Sequence, residues 1–368
     1  MTLLVIGSGL AAYLLIKELR DSGYPEKIIV ITNDSGDFYS KPQISNAFAL
    51  GKTAEQLITM PADDFSAKYD FELHKFTKVD KLIPDEKIAI AAGKTYKYDK
   101  CVLAVGSNVK QADWHEHVYH VNNLTDYKLL RKSLLNTKKI AIIGAGLVGC
   151  ELASDLSKSF NVTLLHDHDT PISKLLPSEC GYYLKNRLIE SGVSWSNFSE
   201  VVVSKSADMI QVNGQEYDLV IAALGIEPNT ELALNANIKV NNGIEVNGFC
   251  QTSANDVYAL GDCANVCGVN LAYIAPIRQC VNVLSKQLQG IKTNPIKYPN
   301  MPIIIKTPMC KTIVQQPSEQ GIWQFEQSQS SMVARHINSG KLNGFILMDE
   351  GLSLRAGFLL EMADENNN

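Results

Sequence analysis

An apolar strand, a glycine turn and an apolar helix follow one another directly at the start of the chain. Residues 3–6 are apolar, glycines bound the turn at 7–9, helical periodicity covers 10–19, and the next apolar strand is at 28–31. A β-α-β unit with a glycine-rich first turn is the nucleotide-binding half of a doubly wound sheet. The sequence therefore predicts a parallel α/β architecture at the N-terminus.

The same pattern recurs later in the chain. Residues 139–143 predict a strand, 144–149 a glycine turn, 151–158 a helix and 162–165 the next strand. Two such units in one chain predict two nucleotide sites.

Three further apolar segments, at residues 101–106, 219–225 and 257–262, each contain glycine at or near their end. If the second unit is inserted into the first, these segments mark the exit from the first domain, the end of the inserted domain and the return. We therefore predict an α/β fold with two Rossmann-like dinucleotide-binding domains, the second inserted in the first, and a small C-terminal α+β domain. The predicted limits are 1–108 and 242–300 for the first domain, 109–241 for the second and 301–368 for the C-terminal domain.

The last hundred residues predict one long helix and several strands. The helix covers roughly residues 276–289, and residues 295–302, bounded by prolines, are predicted to form a linker. Strand-like stretches follow, and we expect the polar tail at 364–368 to fray. The strand-like stretches are residues 303–306, 322–325 and 344–348.

The first glycine loop has the chemistry of a dinucleotide site. Gly7 allows the tight turn, and Gly9 lets the backbone approach a pyrophosphate at the helix N-terminus. Ala12 replaces the third glycine, which the contact between helix and strand tolerates. Such a loop alone is weak, since glycine turns join many strands to helices. Its strand–turn–helix context, with Asn33 and Asp34 placed to bind the adenosine ribose, favours the functional interpretation.

The second loop has the complete pattern, with Gly144, Gly146 and Gly149. His166 follows the next strand, at a position where an acid often binds the ribose, and Asp167 comes next. No arginine occupies that stretch to pair with a 2′-phosphate, so the sequence favours NADH over NADPH.

Two carboxylates near these loops have alternative interpretations. Glu151 lies near the start of the second helix, where it could be an ordinary surface charge that interacts with the helix dipole. Asp262 closes an apolar strand and could be an N-cap of a following helix. The glycine before Asp262 and the strand before that favour a functional role for Asp262.

These residues together resemble the FAD-dependent pyridine-nucleotide reductases over nearly the whole chain, and more narrowly the bacterial rubredoxin–NAD reductases, with the flavorubredoxin reductases as nearest relatives. The segments that carry the resemblance are the two glycine loops, residues 39–42, 104–106, 144–151, 222–228, 259–262, 270–276 and 301–308.

The resemblance implies that FAD and NADH are the cofactors and assigns a role to each matching residue. The FAD pyrophosphate would contact Ser8, Gly9, Leu10 and Ala11. The adenosine side would contact Asn33, Asp34 and the backbone of Val79, and the ribityl chain or adjoining phosphate would contact Asp262. The isoalloxazine region would be lined by Lys41, Glu151, Ile274 and Lys306.

Lys41 and Glu151 are the two predicted catalytic residues. A single lysine is usually a solvated charge, but Pro42 follows Lys41 in a rigid turn that could aim the ammonium at flavin N5, and Glu151 could pair with it. The mechanism implied is hydride transfer from NADH to flavin N5, followed by single-electron transfer to a metalloprotein. No general base is required.

Cysteine usage differs from that of disulfide reductases, which carry a cysteine pair soon after the first β-α-β unit. Residues 1–100 contain no cysteine. Cys263 and Cys267 have helical spacing and are predicted to be buried structural thiols. A dithiol mechanism is therefore not expected, and no C-x-x-C pair suggests a metal site among the eight cysteines. Reduced thiols are typical of a cytoplasmic protein.

Length and charge limit the partners. A chain of 368 residues is longer than one hydrophobic core usually supports, so two or three domains are expected. Its net charge of -5 gives no basic surface for nucleic acid or an anionic membrane. The sequence has no run of about 18 uninterrupted apolar residues, so no membrane span is predicted. The implied acceptor, rubredoxin, is a small acidic iron protein and would need a local basic patch, for which the candidates are Lys41, Arg278, Lys306 and Lys311.

The sequence leaves several alternatives open. A low-turnover redox sensor that binds FAD and NADH, and a flavin oxidase that passes electrons to oxygen, would share the same loops. The physiological acceptor and the oligomeric state are not indicated by any motif.

Overall fold

The computed structural model describes residues 1–114, 117–206 and 209–364. Helices in these residues are α1 (Leu10–Asp21), α2 (Ala54–Leu57), α3 (Ala62–Lys68), α4 (Leu124–Ser133), α5 (Leu147–Leu156), α6 (Ser178–Glu190), α7 (Glu231–Asn235), α8 (Ile274–Leu288) and α9 (Arg355–Asp364). Short 3₁₀ helices lie at Lys41–Asn46, Pro84–Glu86, Leu134–Asn136 and Glu350–Leu354.

The strands of the first hundred or so residues are β1 (Thr2–Ile6), β2 (Lys27–Ile31), β3 (Phe38–Tyr39), β4 (Ile58–Met60), β5 (Glu72–His74), β6 (Val79–Ile83), β7 (Ile88–Ala91), β8 (Lys94–Lys97), β9 (Lys100–Leu103) and β10 (Ser107–Val109). Those of the middle of the chain are β11 (Lys139–Ile143), β12 (Asn161–His166), β13 (Ser194–Asn197), β14 (Val203–Ser206), β15 (Met209–Val212), β16 (Gln215–Tyr217), β17 (Leu219–Ala222) and β18 (Ile226–Pro228). The remaining strands are β19 (Ile244–Val246), β20 (Val257–Ala259), β21 (Ala264–Val266), β22 (Ile303–Ile305), β23 (Thr312–Gln315), β24 (Ile322–Gln327), β25 (Ser331–Asn338) and β26 (Lys341–Asp349).

The chain divides into two compact units, each made of three separate stretches. Unit 1 contains Met1–Lys41, Glu55–Asn108 and Ile226–Pro299. Its central sheet has the strand order β20-β9-β1-β2-β5, and all neighbours are parallel. The inner strands β9, β1 and β2 are apolar after their first residue, as is typical of a buried parallel sheet. Leu3, Leu4 and Val5 are accordingly fully buried, and α1 packs against α8.

Unit 2 contains Pro42–Ala54, Val109–Gly225 and Asn300–Asn368. Its parallel sheet has the order β13-β12-β11-β17, and β14, β15 and β16 form a separate antiparallel sheet. Strand β11, which precedes the second glycine loop, therefore has a parallel strand on each side, as β1 does in unit 1. The carboxyl ends of such strands are where doubly wound sheets bind nucleotides.

The C-terminal part of unit 2 is an antiparallel sheet of order β22-β23-β26-β25-β24 with α9 beside it. Its apolar residues alternate between two cores, as the two-residue period of a strand requires. One face joins the core of the nucleotide-binding sheet and contains Val314, Met332, Ala334, Ile346 and Met348. The opposite face packs on Phe358 and Met362 of α9 and contains Ile313, Val333, Phe345 and Leu347.

The predicted fold class is confirmed. The long C-terminal helix begins at Ile274, two residues before its predicted start, and ends at Leu288. Strands β23 and β25 were not predicted, and the predicted domain limits at 108, 241 and 300 stay predictions. Most of the tail predicted to fray, residues 365–368, lies outside the described residues. Among the described residues no helix is long and apolar enough to cross a membrane.

Candidate functional site

The first glycine loop uses its two glycines for different purposes. Gly7 has a φ of +107°, and a Cβ there would lie 2.3 Å from the carbonyl oxygen of Ala104, so only glycine fits the turn. Gly9 has an ordinary φ of -70°, and a Cβ there would meet nothing within 4 Å. Gly9 therefore leaves open space in front of α1.

The second loop repeats this geometry. Gly144 has a φ of +105°, and its Cβ would lie 2.5 Å from the carbonyl oxygen of Ala223, whereas a Cβ on Gly146 would again meet nothing within 4 Å. Gly149 packs more tightly than its counterpart Ala12, because a Cβ there would lie 1.9 Å from the carbonyl oxygen of Gly144. The two loops are the same local structure with one difference in helix packing.

Both helices begin in a way that suits an anion. Neither Gly9 nor Gly146 offers a side-chain cap, and neither α1 nor α5 has an acidic residue in its first turn. The first-turn N–H groups and the positive end of each helix dipole are therefore available to a phosphate. Together with the open space at both glycines, these features fit a dinucleotide pyrophosphate at each loop.

Asp34 is anchored beside the first loop through one oxygen. Its Oδ1 accepts hydrogen bonds of 2.8 Å from the hydroxyls of Ser8 and Thr32 and from the N–H of Gly36. Within the described part of the chain, Oδ2 has no hydrogen-bond partner, so it can accept from a ribose hydroxyl. Asn33 is exposed next to it, as a ligand contact requires.

Other predicted contacts of the first cofactor lie in the same unit. Leu10 and Ala11 are the first two residues of α1, Val79 is the buried first residue of β6, and Ile274 is the half-buried first residue of α8. They begin elements of unit 1, and their contacts with the cofactor stay predictions.

Asp262 does not cap a helix, since β21 follows it. The Ser107 hydroxyl donates to Oδ2 of Asp262 at 3.1 Å, and the amide of Asn270 donates to its main-chain oxygen at 3.0 Å. A Cβ on the preceding Gly261 would lie 2.8 Å from Cβ of Ala11, which places Asp262 beside the start of α1. The N-cap interpretation is therefore wrong.

Glu151 is buried in the second turn of α5, so it is not a surface helix charge. The Ser45 hydroxyl donates to its Oε2, and the main-chain N–H of Lys306 donates to its Oε1 at 3.0 Å. The ammonium of Lys306 donates to the main-chain oxygen of Pro42 at 3.1 Å. The structure thus brings together Glu151 and Lys306, and it adds Ser45, which no motif indicated.

Asp155, one helical turn after Glu151, is a second buried acid that the sequence did not indicate. Its Oδ2 accepts hydrogen bonds from the main-chain N–H groups of Phe48 and Ala49 at 2.8 and 3.0 Å. Burial raises the pKa of the Asp155 carboxyl, and the two N–H groups counteract this effect. The two acids of α5 therefore hold the segment at 42–54.

Lys41 is the first residue of the 3₁₀ helix Lys41–Asn46 and the last residue of the first stretch of unit 1. Glu151 belongs to unit 2. Their pairing therefore stays a prediction.

The cysteines are all free thiols, and they differ in exposure. No group of histidine, cysteine, aspartate or glutamate that could hold a metal ion occurs among the described residues, and all eight cysteines are free. Cys263 is buried as predicted, and burial raises the pKa of its thiol to about 12. Cys267 is exposed, contrary to prediction, because it lies at a turn after β21 with a φ of +51° and not on a helix.

Two family models match the chain. The model described as pyridine nucleotide-disulphide oxidoreductase matches residues 1–280, and the model described as rubredoxin binding C-terminal domain matches residues 295–362. The chain belongs to the pyridine nucleotide-disulphide oxidoreductase family.

Individual proteins agree with this assignment. The chain is 35% identical to the nitric oxide reductase FlRd-NAD(+) reductase of Aliivibrio fischeri, with 95% of each sequence covered. It is 34% identical to the rubredoxin-NAD(+) reductase of Acinetobacter baylyi, covering 94% of this chain and 93% of the relative. A crystal structure of the covalent putidaredoxin reductase-putidaredoxin complex has the same fold, with a TM-score of 0.88, 21% identity, and coverage of 98% of this chain and 92% of that one.

The predicted resemblance is therefore confirmed, and the chain is an oxidoreductase. Its family and fold imply that it binds FAD and NADH, as predicted. The roles of the individual residues stay predictions.

Proposed function

We propose that the chain is an FAD-dependent reductase that takes a hydride from NADH and passes single electrons to rubredoxin. The observation that carries this proposal is the pair of glycine loops with the same geometry, one in each parallel sheet, in a chain whose C-terminal sheet matches a rubredoxin-binding domain. The two loops would bind the two dinucleotides, and the C-terminal sheet would bind the acceptor protein.

In this proposal unit 1 holds FAD. Gly7 sets the turn, and the pyrophosphate is bound by Ser8, Gly9, Leu10 and Ala11. Asp34 accepts a hydrogen bond from the ribose through Oδ2, and Asn33 lies beside it. The backbone of Val79 contacts the adenine, and Asp262 binds the ribityl chain or the adjoining phosphate. The hydroxyl of Ser107 supports this role by fixing Oδ2 of Asp262.

The reacting end would be lined by Lys41, Glu151, Ile274 and Lys306. Bound FAD supplies the hydride acceptor and the capacity for single-electron transfer. Lys41, with Glu151, sets the charge near flavin N5. Glu151 suits this task because both of its oxygens already accept hydrogen bonds, which fix the orientation of the buried carboxyl group.

The loop of Gly144, Gly146 and Gly149 would bind NADH in unit 2. Gly146 and the N-terminus of α5 receive the pyrophosphate, since the open space and the unpaired first-turn N–H groups lie there.

The acceptor is the finer part of the proposal. Lys306, Lys311 and Arg278 are exposed, and together with Lys41 they stay the candidates for the basic patch that an acidic acceptor would need. Flavorubredoxin is a second candidate acceptor, because the relative from Aliivibrio fischeri carries an FlRd reductase name. We place the chain in the cytoplasm, since all eight cysteines are free thiols.

The experiment is a comparison of acceptors. Purified FAD-loaded protein is mixed anaerobically with NADH and with rubredoxin, flavorubredoxin or ferredoxin, and the reduction of each is followed by absorbance. We expect rubredoxin to be reduced fastest. Preference for ferredoxin would overturn the assignment of the acceptor. A parallel assay in air tests the oxidase alternative: protein that reduces none of the acceptors anaerobically but consumes NADH when oxygen is admitted would be a flavin oxidase.

A further inference from the structure

A polar cleft in unit 1 is lined by none of the residues assigned to a cofactor. Its volume is about 330 Å³, and strands β19 and β21 contribute to its wall. The two strands are parallel and pair Glu245 with Asn265, so these two side chains lie next to each other on one face. The cleft is therefore a further place in the molecule where a small ligand could bind.

Two hydrogen-bond acceptors stand side by side in this cleft. Asn265 is only 3% exposed, and its Nδ2 donates to the main-chain oxygen of Asn241, which fixes the orientation of the amide. Its Oδ1 is buried and has no hydrogen-bond partner among the described residues. The neighbouring Glu245 carboxylate accepts no hydrogen bond from that part of the chain either. A ligand ammonium, which has three donors, would satisfy both acceptors.

Lys239 brings a positive charge to the same cleft. Its main-chain N–H donates to the hydroxyl of Ser253 at 2.9 Å, and its main-chain oxygen accepts from the N–H of Glu245 at 3.0 Å. Neither the Lys239 ammonium nor the Glu245 carboxylate forms an ion pair within the residues that the structure describes. Unpaired surface charges are common, but here a cation and an anion share a cleft with a buried acceptor. The arrangement is complementary to a zwitterion that carries an ammonium and a carboxylate.

Cys267 adds a nucleophile to the cleft wall. It follows β21, two residues after Asn265, and of the eight cysteines it alone is exposed. Its main-chain N–H donates to the oxygen of Val246 at 2.9 Å, which fixes its backbone beside β19. Burial shields the other thiols from reagents, and it raises the pKa of five of them, which are Cys101, Cys150, Cys180, Cys263 and Cys310. Cys267 is therefore the thiol that a small molecule can reach.

We propose that Cys267 is a modification site that forms a mixed disulfide with a small thiol bearing an α-amino-acid group. The ammonium of this ligand binds between Glu245 and Asn265, and its carboxylate binds Lys239. The Cys267 thiolate attacks one sulfur of the disulfide form of the ligand, so that a new S–S bond forms as the old one breaks. The other half leaves as a thiolate and takes up a proton. Cys267 is oxidised and the small disulfide is reduced, so the reaction needs no other oxidant.

The test follows disulfide exchange on the full chain by mass spectrometry and peptide mapping. The reagents are cystine and glutathione disulfide, which both carry the α-amino-acid group, and the uncharged bis(2-hydroxyethyl) disulfide. We expect the first adduct of each reagent at Cys267 and none there in Cys267→Ser. The rate with cystine or glutathione disulfide, divided by the rate with the uncharged reagent, separates recognition of the charges from the reactivity of the thiol. The larger of the two quotients identifies the natural thiol.

Glu245→Gln and Lys239→Gln should each lower this quotient by about two- to fivefold, which is typical of the loss of one exposed ion pair. Two further reagents separate the two charges. Cystamine carries only ammonium groups, so its rate should depend on Glu245, whereas dithiodipropionate carries only carboxylates and should depend on Lys239. Lys292→Gln, at another exposed lysine of unit 1, is the matched control and should leave every quotient unchanged.

Two results would overturn the inference. One is a first adduct on any other cysteine while Cys267 stays a free thiol. The other is a quotient that is the same in the parent protein, Glu245→Gln and Lys239→Gln. Neither result bears on the reductase function, because the readout is the mass of the protein and not its turnover of NADH.

Discussion

The main-chain N–H of Lys306 donates a hydrogen bond of 3.0 Å to Oε1 of Glu151. Since the Ser45 hydroxyl engages the other oxygen, the carboxylate joins α5 to two segments that are far from it in sequence. Hydrogen bonds to a charged group contribute about 1.5–3 kcal/mol, and removal of a buried acceptor leaves its donors unsatisfied.

For Glu151 we therefore expect the two obvious substitutions to differ. Glu151→Ala should lower the free energy of unfolding by about 2–4 kcal/mol, because two donors lose their acceptor and a small cavity forms. Glu151→Gln keeps an acceptor for Lys306 and should cost less, yet slow flavin reduction by NADH if the charge acts near N5. Denaturant unfolding and anaerobic stopped-flow measurements at equal FAD occupancy check both parts. Equal stability of the two variants would contradict the hydrogen-bond assignment.

Gly146→Val should damage NADH use without damaging the fold. The backbone of Gly146 is extended and a Cβ there meets nothing within 4 Å, so a side chain would enter the open space that the pyrophosphate needs. We expect an unchanged melting temperature and at least about a tenfold rise in the NADH concentration needed for half-maximal flavin reduction.

Gly9→Val is the matched control, because it has the same free space in unit 1 and should impair FAD uptake instead. Normal flavin reduction by Gly146→Val at low NADH would show that the second loop is structural.

Asp262→Ala should weaken FAD retention. It removes a carboxylate that Ser107 holds beside the start of α1, and the loss of one charged hydrogen bond corresponds to about 1.5–3 kcal/mol of binding free energy. Asp262→Asn keeps an acceptor and should show a smaller loss. The measurement is the FAD dissociation constant, determined by fluorescence on folded protein. The same FAD affinity in the parent protein, Asp262→Ala and Asp262→Asn would show that Asp262 does not contact FAD.

Lys311→Glu should slow reduction of rubredoxin several-fold at low ionic strength, a change of about 1 kcal/mol in the docking barrier. The main chain of Lys311 is fixed by Asp349 through two hydrogen bonds, so the exposed side chain can be reversed without disturbing the strand. The loss should shrink as salt screens the charges, while hydride transfer from NADH stays normal.

Lys341→Glu is the matched control at another exposed lysine of the C-terminal sheet. Identical rubredoxin kinetics for Lys311→Glu and the parent protein across a salt series would exclude this docking face but not the reductase function.

Asp155 should give the protein a specific pH dependence. Because its pKa is raised in the folded state, the folded state binds a proton more tightly than the unfolded state does. The contribution of Asp155 to stability therefore falls as the pH rises from the ordinary value of 3.8 through the raised pKa. We expect the free energy of unfolding of Asp155→Asn, relative to the parent protein, to increase over this range. A difference that is constant with pH would contradict burial of the charged group.

The parts of the fold that the sequence predicted are those specified by local patterns. Both glycine loops lie between a strand and a helix as predicted, because the residues that set the turn are adjacent in the chain. The long C-terminal helix was placed within two residues for the same reason. Strand β25 was missed although it pairs with β26 on one side and β24 on the other, because polar residues near its ends interrupt its apolar pattern.

The parts that could not be predicted depend on contacts between distant segments. Ser45 donates to Glu151, and Asp155 accepts from the main-chain N–H groups of Phe48 and Ala49, but no motif surrounds either contact. Cys267 has the spacing of a helix but lies in a turn, since the segment after Asp262 continues as a strand. The alternation of the C-terminal sheet between two cores likewise depends on which residues its two faces meet.

The hold of α5 on the segment at 42–54 has a consequence for biosynthesis. Phe48 leaves the ribosome 107 residues before Asp155, the acid that binds its main-chain N–H. At ordinary translation rates this separation corresponds to roughly 5–20 s, during which the N–H groups of Phe48 and Ala49 have water in place of the Asp155 carboxylate. A nascent chain released at residue 108 would never acquire one. The N-terminal part of this protein therefore completes its structure only after the ribosome has delivered α5.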